Sequence, residues 1–371
     1  MKTSIPVGVI FSQTGATSVI EKTQLHATLL AIEEANNLLA TNGLEIKPFY
    51  MDPQSDPFLF SSMAEKLIAE QNVTVIFGCY TSISRKSVLP VIEKHNKLLF
   101  YPTLYEGFEF SPNVIYTGAC PNQNIIILAE FMFSKFGKNC YLVGSDYVYP
   151  YESNRIMKDM VNGFGGKIMG EHYLSLEASH TEFRPIMDDI AASQPDFIFS
   201  TVVGSSTAAF YESYAQAGLQ PQTLPIASLT TSEAELASML PFARADHFTA
   251  APFFASILKH SPIPTWQQLV TQIGDVPINQ CWESAYFQVM LFTKALIEAQ
   301  DIDTDSLLKV LRGMEVEAPQ GRVRVDPDNN HCWVYSRIGK SRADGDFEIV
   351  KESKRTVRPD PYLMSYAISA L

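Results

Sequence analysis

The stretch VTVIFGCYTSISRKSVLPVIEKHNKLLFYPT, residues 73–103, decides the architecture. It opens on VTVIFG (73–78), an uninterrupted apolar run of the kind found in strands buried on both faces. An amphipathic run over 84–94 follows and predicts a helix, and KLLFY (97–101) reads as a second short strand. Strand, helix, strand within thirty-odd residues is a βαβ unit, whose strands run parallel.

The same punctuation extends both ways. Upstream stand IPVGVIF (5–11), a long amphipathic run over 18–39, LEIKPFY (44–50) and a helix over 57–70. Downstream, after the turn-like SPN at 111–113, a second alternating set begins. Helices are expected over 122–136, 152–163, 182–192 and 206–217, and strands at NCYLVGS, KIMGEHYL, DFIFSTVV and LPIAS. From residue 247 come a strand (HFTAAPFF), a Pro-rich linker (SPIPTW), and helices over 280–299 and 306–312. The tail from GRVRVDPDNNHCWVYSRI onward alternates at period two, with a hairpin turn at Asp344-Gly345, and reads as antiparallel strands. The expected fold is therefore α/β with two lobes, each a wound, mostly parallel sheet with helices on both faces and the ligand in the interlobe cleft. Both lobes are expected to be discontinuous: 1–120 plus 250–325, and 121–249 plus 326–371.

At 371 residues the chain exceeds what one core usually fills, which fits two domains. With 46% hydrophobic and 18% charged residues it has an ordinary globular composition. The formal charge of −12 opposes phosphate binding, and no stripe of Lys and Arg offsets it, so no direct nucleic-acid contact is expected. The one basic cluster, KESKRTVR (351–358), reads as a solvated surface segment. Five cysteines (Cys79, Cys120, Cys140, Cys281, Cys332), widely spaced and without a CxxC pair, suit reduced thiols rather than a disulfide frame or a zinc site. No stretch approaches the roughly 20 apolar residues that span a bilayer, since IIILAEFMF is interrupted by Glu130. The N-terminal run reads as a first strand and not as a secretory leader.

In wound sheets the loops after the strands' carboxyl ends are the default ligand contacts. Three such loops gather hydroxyls and aromatics: Cys79-Tyr80-Thr81-Ser82, Pro102-Thr103-Leu104-Tyr105-Glu106-Gly107, and Asp146-Tyr147-Val148-Tyr149-Pro150. Ser82 reads equally as a helix cap or as a ligand donor. Tyr80, Tyr101, Tyr147 and Tyr149 read as pocket walls or as core tyrosines. Glu106 reads as a ligand acid, a surface group or a hinge residue. Thr231 in IASLTTSE stands beside a capping box, and Val203 and Glu283 are comparably placed. A neutral amide presents one carbonyl acceptor and one NH2, which hydroxyls satisfy without an opposing charge; an amino acid would need a buried carboxylate for its ammonium group. The order Cys79, Lys86, Glu93 invites a cysteine-hydrolase reading, but two of its charges lie on one solvated helical run. There is no GxSxG elbow, P-loop, HExxH or strand-borne GxGxxG, and the seven histidines are dispersed. No enzyme activity, cofactor or metal is expected.

At these same segments the chain resembles the amide- and urea-binding branch of the type I periplasmic-binding-protein family. The resemblance is carried by FSQTG, GCYTSISRKSVLPVIEKHNKLLFYPTLYEGFEFSPNVIYTG, PNQN, VGSDYVYPYESN, FSTVVG, IASLTTSEAE, APQGRVRVDPDNNH and RPDPY, in order, from near residue 11 to 362. It implies that Ser82, Thr103 and Tyr147 meet the oxygen and nitrogens of a small amide or urea, with Tyr80, Tyr101, Pro102, Tyr149, Val203 and Thr231 completing the walls. It also implies one of two lives. The first is that of the branch's cytoplasmic amide sensors, negative regulators of the aliphatic amidase operon that hold an RNA-binding antiterminator protein inactive. The alternative is the urea or short-chain amide receptor of an ABC transporter, periplasmic or extracellular once a signal peptide has been removed. Self-association into a homo-oligomer is left open. The basic residues Lys354-Arg355 depart from the pattern and match no partner.

Overall fold

Residues 2–365 are described by the computed structural model, in which the chain forms two units. The first comprises Met1–Ala119 and Gln280–Val334, the second Cys120–Asn279 and Tyr335–Leu371. The expected lobe limits at residue 1 and at 366–371 lie outside the described residues.

The first unit opens with β1 (Thr3–Ile10), α1 (Ser18–Leu39), β2 (Leu44–Met51), α2 (Pro57–Gln71), β3 (Val75–Gly78), α3 (Ser82–Lys94), β4 (Leu98–Tyr101) and β5 (Val114–Tyr116). The five strands form one parallel sheet in the order β2-β1-β3-β4-β5. Every residue of β3, β4 and β5 is buried, which is why these strands are continuous apolar runs rather than alternating ones. The order reverses at β1, whose neighbours β2 and β3 lie on its two sides, so its carboxyl end marks a topological switch point.

The second unit contributes α4 (Ile125–Lys135), β6 (Cys140–Ser145), α5 (Val148–Gly163), β7 (Ile168–Leu174), α6 (His180–Ser193), β8 (Phe197–Thr201), α7 (Ser206–Gln216), β9 (Ile226–Ser228), α8 (Glu233–Ser238) and β10 (Phe248–Ala251), then α9 (Ala255–Lys259) and α10 (Pro264–Ile273). The chain returns to the first unit with α11 (Gln280–Ala299), α12 (Thr304–Leu311) and an antiparallel sheet of β11 (Glu315–Ala318), β12 (Gly321–Val325) and β13 (Cys332–Trp333). It returns to the second unit with β14 (Arg337–Ser341), antiparallel to β10, and β15 (Phe347–Glu352), antiparallel to β14, giving the order β15-β14-β10-β9-β8-β6-β7. Phe183, Ile190, Ile198, Phe210, Tyr211, Ile226 and Phe254 fill the core on one face of this sheet. Each such side chain contributes roughly 1.5–3 kcal/mol by leaving water.

Five boundaries differ from expectation, each for a local reason. The segment 250–279 belongs to the second unit and 326–334 to the first, because β10 pairs with β9 and β13 pairs with β12. The Pro-rich linker becomes α10 from Pro264 onward, since proline's fixed φ suits the first turn of a helix. Helix α5 starts at Val148, so Tyr147 is the extended residue ahead of it and not part of a loop ending at residue 151. Helix α3 starts at Ser82 with Thr81 as its cap: Thr81 is extended (φ −77°, ψ 153°) and its hydroxyl accepts from Ser84 N. Ser82 therefore does not cap α3, and its hydroxyl is released for other work.

Candidate functional site: strand-end hydroxyls over a buried charge cluster

In the first unit the loops after β1, β3 and β4 are tied together by their own polar groups. Tyr101 donates its phenolic hydroxyl to Tyr80 O at 2.8 Å, joining the ends of adjacent strands. Thr103 Oγ1 lies 3.5 Å from Cys79 O. Gln24, on the inner face of α1 and fully buried, donates its amide nitrogen to Pro102 O at 3.1 Å and to Thr103 Oγ1 at 3.0 Å. Gly118 passes so close behind Thr103 that a Cβ there would lie 2.1 Å from the Thr103 carbonyl carbon and oxygen. Cys79 holds φ +69°, a left-handed conformation that a non-glycine residue adopts at a cost of about 1–2 kcal/mol, and it turns the chain from β3 into the site.

Beneath these hydroxyls lies a compact cluster of charges. Ser82 donates to Glu106, whose other carboxylate oxygen meets Arg85 Nη2 at 3.4 Å. Arg85, completely buried, also donates through Nε to Glu109 at 2.7 Å and through Nη1 to Ser82 Oγ at 3.3 Å. Its guanidinium stands 4.7 Å over the Tyr101 ring and 4.6 Å over Tyr105. Lys86 Nζ, partly exposed, meets Glu109 at 2.8 Å and Glu106 at 3.8 Å. Burial alone would raise the Glu109 carboxyl, but Arg85 and Lys86 pull it down to about 2. Two cations thus balance two carboxylates, and the cluster carries no net formal charge. Glu106 is not a surface group: it is 2% exposed and engaged by Ser82 and Arg85.

At the carboxyl end of β1, Glu21 accepts from Ser12 N at 2.6 Å and from the Thr17 hydroxyl, stapling the FSQTG loop to α1. Burial pushes its carboxyl up to about 7 against these hydrogen bonds.

The second unit assembles a corresponding set. Ser145, at the end of β6, accepts from Val203 N at 2.9 Å and so draws the loop after β8 alongside. Thr230 donates to Val202 O at 2.9 Å, linking the loop after β9 to the same place. Tyr147 is partly exposed ahead of α5, with its ring 6.2 Å from that of the buried Tyr149. The Thr231 hydroxyl is engaged by Tyr211 at 3.0 Å and Ser228 at 3.0 Å, so this residue offers little beyond its methyl group and backbone. The cap of α8 is Ser232, in a box with Glu235. Glu233 is buried, one oxygen accepting from Ala255 N at 2.6 Å and the other without a partner among the described residues. Burial pushes it up to about 8.

The structure thus brings Tyr80, Ser82, Tyr101, Pro102 and Thr103 together in the first unit, and Tyr147, Tyr149, Val203 and Thr231 together in the second. Glu283 instead accepts from Gln320 N at 3.2 Å and Nε2 at 2.8 Å, anchoring the β11–β12 turn to α11. The cysteine-hydrolase arrangement does not form: Cys79 is buried with its thiol pushed well up by desolvation, Lys86 pairs with carboxylates, and Glu93 accepts from Ser111 at 2.8 Å. Sequence reading missed Arg85, Glu109, Gln24 and Glu21. Only Glu21 had a local signal, a carboxyl four residues after a Thr at a helix start. All five cysteines are free and buried. Among the described residues no group of three or more metal-ligating side chains is gathered, and no helix is long and apolar enough to cross a membrane.

Comparison with known proteins agrees with this architecture. A family model described as "Periplasmic binding protein domain" matches residues 5–367. The Leu/Ile/Val-binding protein homolog 6 of Brucella melitensis is 23% identical over 357 residues, spanning 92% of this chain and 89% of the relative. Among solved structures, a solute binding protein of an ABC transporter from Rhodopseudomonas palustris HaA2 in complex with p-hydroxybenzoic acid superposes with a TM-score of 0.85 at 21% identity, covering 98% of this chain and 100% of that one. The branched-chain amino acid transporter substrate binding protein LivJ from Streptococcus pneumoniae, in complex with isoleucine, gives 0.82 at 14% identity, covering 96% and 100%. At such identities the structural likeness speaks for the fold.

Proposed function

The chain belongs to the periplasmic binding protein family, and from that premise we propose that it is a non-enzymatic receptor for a small neutral amide or urea. The observation that carries the reading is the charge balance of the first unit's strand ends: hydroxyls of Ser82 and Thr103 are presented over a cluster in which Arg85 and Lys86 offset Glu106 and Glu109. An aromatic carboxylate such as the hydroxybenzoate of the Rhodopseudomonas receptor needs an uncommitted cation, and Arg85 is spent on its two carboxylates. A neutral amide needs only a donor for its oxygen and an acceptor for its NH2. Ser82 donates to Glu106 and accepts from Arg85, which leaves one lone pair for an N–H, while Thr103 serves the oxygen. Tyr147, with Tyr149 and Val203 as apolar walls, is the contact assigned to the second unit. Tyr80, Tyr101 and Pro102 hold the first-unit loops in place.

Both named solved structures are transporter binding proteins, which favours delivery of the solute to a membrane permease. Regulation of amidase expression through an RNA-binding antiterminator, in the cytoplasm, rests on the sequence resemblance and is the second output of the same binding chemistry. Binding to a permease complex in membranes, against binding to an RNA-binding partner in soluble extract, separates the two.

A second ligand class has one observation in its favour: Glu233 is a buried acid with an unpartnered oxygen, the group an α-ammonium requires. Against it, burial holds Glu233 largely protonated at neutral pH. A thermal-shift panel of acetamide, urea, benzoate and leucine decides among them, because a solute that binds only the native state raises the melting temperature. Stabilisation by acetamide or urea, without turnover, is expected; stabilisation by leucine or benzoate alone refutes the amide reading.

A further inference from the structure

Gln24 carries a hydrogen-bond arrangement that a packing role does not explain. It is fully buried on α1, a helix whose polar face has water available, and its carbonyl oxygen has no partner among the described residues. Its amide orientation is nonetheless fixed. Pro102 O is a pure acceptor, so the Gln24 atom 3.1 Å away must be the NH2. Turning the amide over would place two carbonyl oxygens face to face. The same nitrogen spends its second N–H on Thr103 Oγ1 at 3.0 Å. Thr103 is thereby made to accept from behind, and its own proton must point elsewhere. Among the described residues the one acceptor it reaches is Cys79 O at 3.5 Å, beyond good hydrogen-bond length.

We infer that Gln24 is the positioning residue that sets the polarity of the Thr103 hydroxyl: it takes one of the two lone pairs and turns the proton away from itself, so that the hydroxyl offers a donor to the acceptor end of the solute, its carbonyl oxygen. This deepens the amide reading and rests on it. A threonine left to rotate offers donor or acceptor indifferently; one held by Gln24 offers a donor without the cost of reorienting on binding. The buried orphan carbonyl of Gln24 is the structural cost of that arrangement, and the residue that would avoid it, an apolar side chain of equal length, would lose the polarity.

The test is a double-mutant cycle on the full chain, read by calorimetric titration with acetamide and with urea. Gln24→Met keeps the volume and removes both donors; Gln24→Leu also removes both donors and serves if the methionine variant does not fold. Either change is expected to weaken acetamide and urea binding at least fivefold. Thr103→Val is expected to do the same, and Gln24→Met with Thr103→Val together to bind no worse than Thr103→Val alone, because Gln24 acts through Thr103. A general packing defect would instead multiply the two losses. Wild-type affinity in a folded Gln24 variant, or multiplicative losses, overturns the role of Gln24 while leaving the amide reading intact. Failure of the unmutated protein to bind either solute overturns both, since Thr103 then has no oxygen to serve.

Discussion

Gly118→Ala tests the positioning of Thr103 from a residue that touches no solute. The new Cβ would lie 2.1 Å from both the carbonyl carbon and oxygen of Thr103 and 2.5 Å from Leu104 N. All three are backbone atoms, so no side chain can swing aside. Restoring an ordinary contact of just over 3 Å requires the Thr103–Leu104 backbone to retreat by about 1 Å, an overpacking that costs roughly 1–3 kcal/mol of stability. The same shift pulls Thr103 Oγ1 off its donor geometry toward a solute oxygen, forfeiting most of one buried hydrogen bond, about 1 kcal/mol or somewhat more. That converts to a five- to tenfold weaker affinity. Titration calorimetry with acetamide and urea measures the second effect, and guanidinium denaturation without either solute the first. A variant that loses stability yet binds with unchanged affinity would refute the claim that Thr103 contacts the solute. One unchanged in both would refute the close approach itself.

Other consequences are measurable with single substitutions. Arg85→Met leaves Glu106 and Glu109 buried without their common partner, so the Glu109 carboxyl should climb from about 2 and the fold should lose about 3–5 kcal/mol, read by equilibrium denaturation at pH 7. Tyr147→Phe should weaken amide binding about three- to tenfold with little change in stability; unchanged affinity removes Tyr147 from the site. Glu233 governs a pH dependence. Burial raises its folded-state value to about 8 from an ordinary 4.5, so the folded chain holds a proton the unfolded chain gives up. The associated stability is full below about pH 4.5 and is lost as pH rises toward 8. Glu233→Gln abolishes that loss and should gain a few kcal/mol on the wild type across this window; parallel stability curves for the two proteins would contradict the assignment.

What the sequence made legible followed from one-dimensional signals. Strands β3, β4, β6 and β8 stood out as short apolar runs because both faces of a parallel sheet are covered, and α11 was bounded correctly at 280–299 by its long apolar stripe. The start of α3 slipped by two residues because Thr81, Ser82 and Ser84 are all competent caps, and only the extended backbone at Thr81 chooses among them. The placement of 250–279 escaped because β10 could close either sheet on pattern alone; its pairing with β9 is a fact of space. The same holds for the site. The strand-end hydroxyls were visible by position, whereas Arg85 reads as an ordinary charge on an amphipathic helix until Glu106 and Glu109, more than twenty residues on, fold back over it. Gln24 sits mid-helix with nothing in its neighbourhood to mark it; its meaning lies in Pro102 and Thr103, nearly eighty residues away.

A crystal structure of the complex with acetamide measures directly which end of the solute each hydroxyl holds. The prediction is the carbonyl oxygen within hydrogen-bond distance of Thr103 Oγ1 and the amide nitrogen within reach of Ser82 Oγ, with Arg85 still paired to Glu106 and Glu109. Acetamide bound away from these two hydroxyls, or bound with its nitrogen on Thr103, would contradict it.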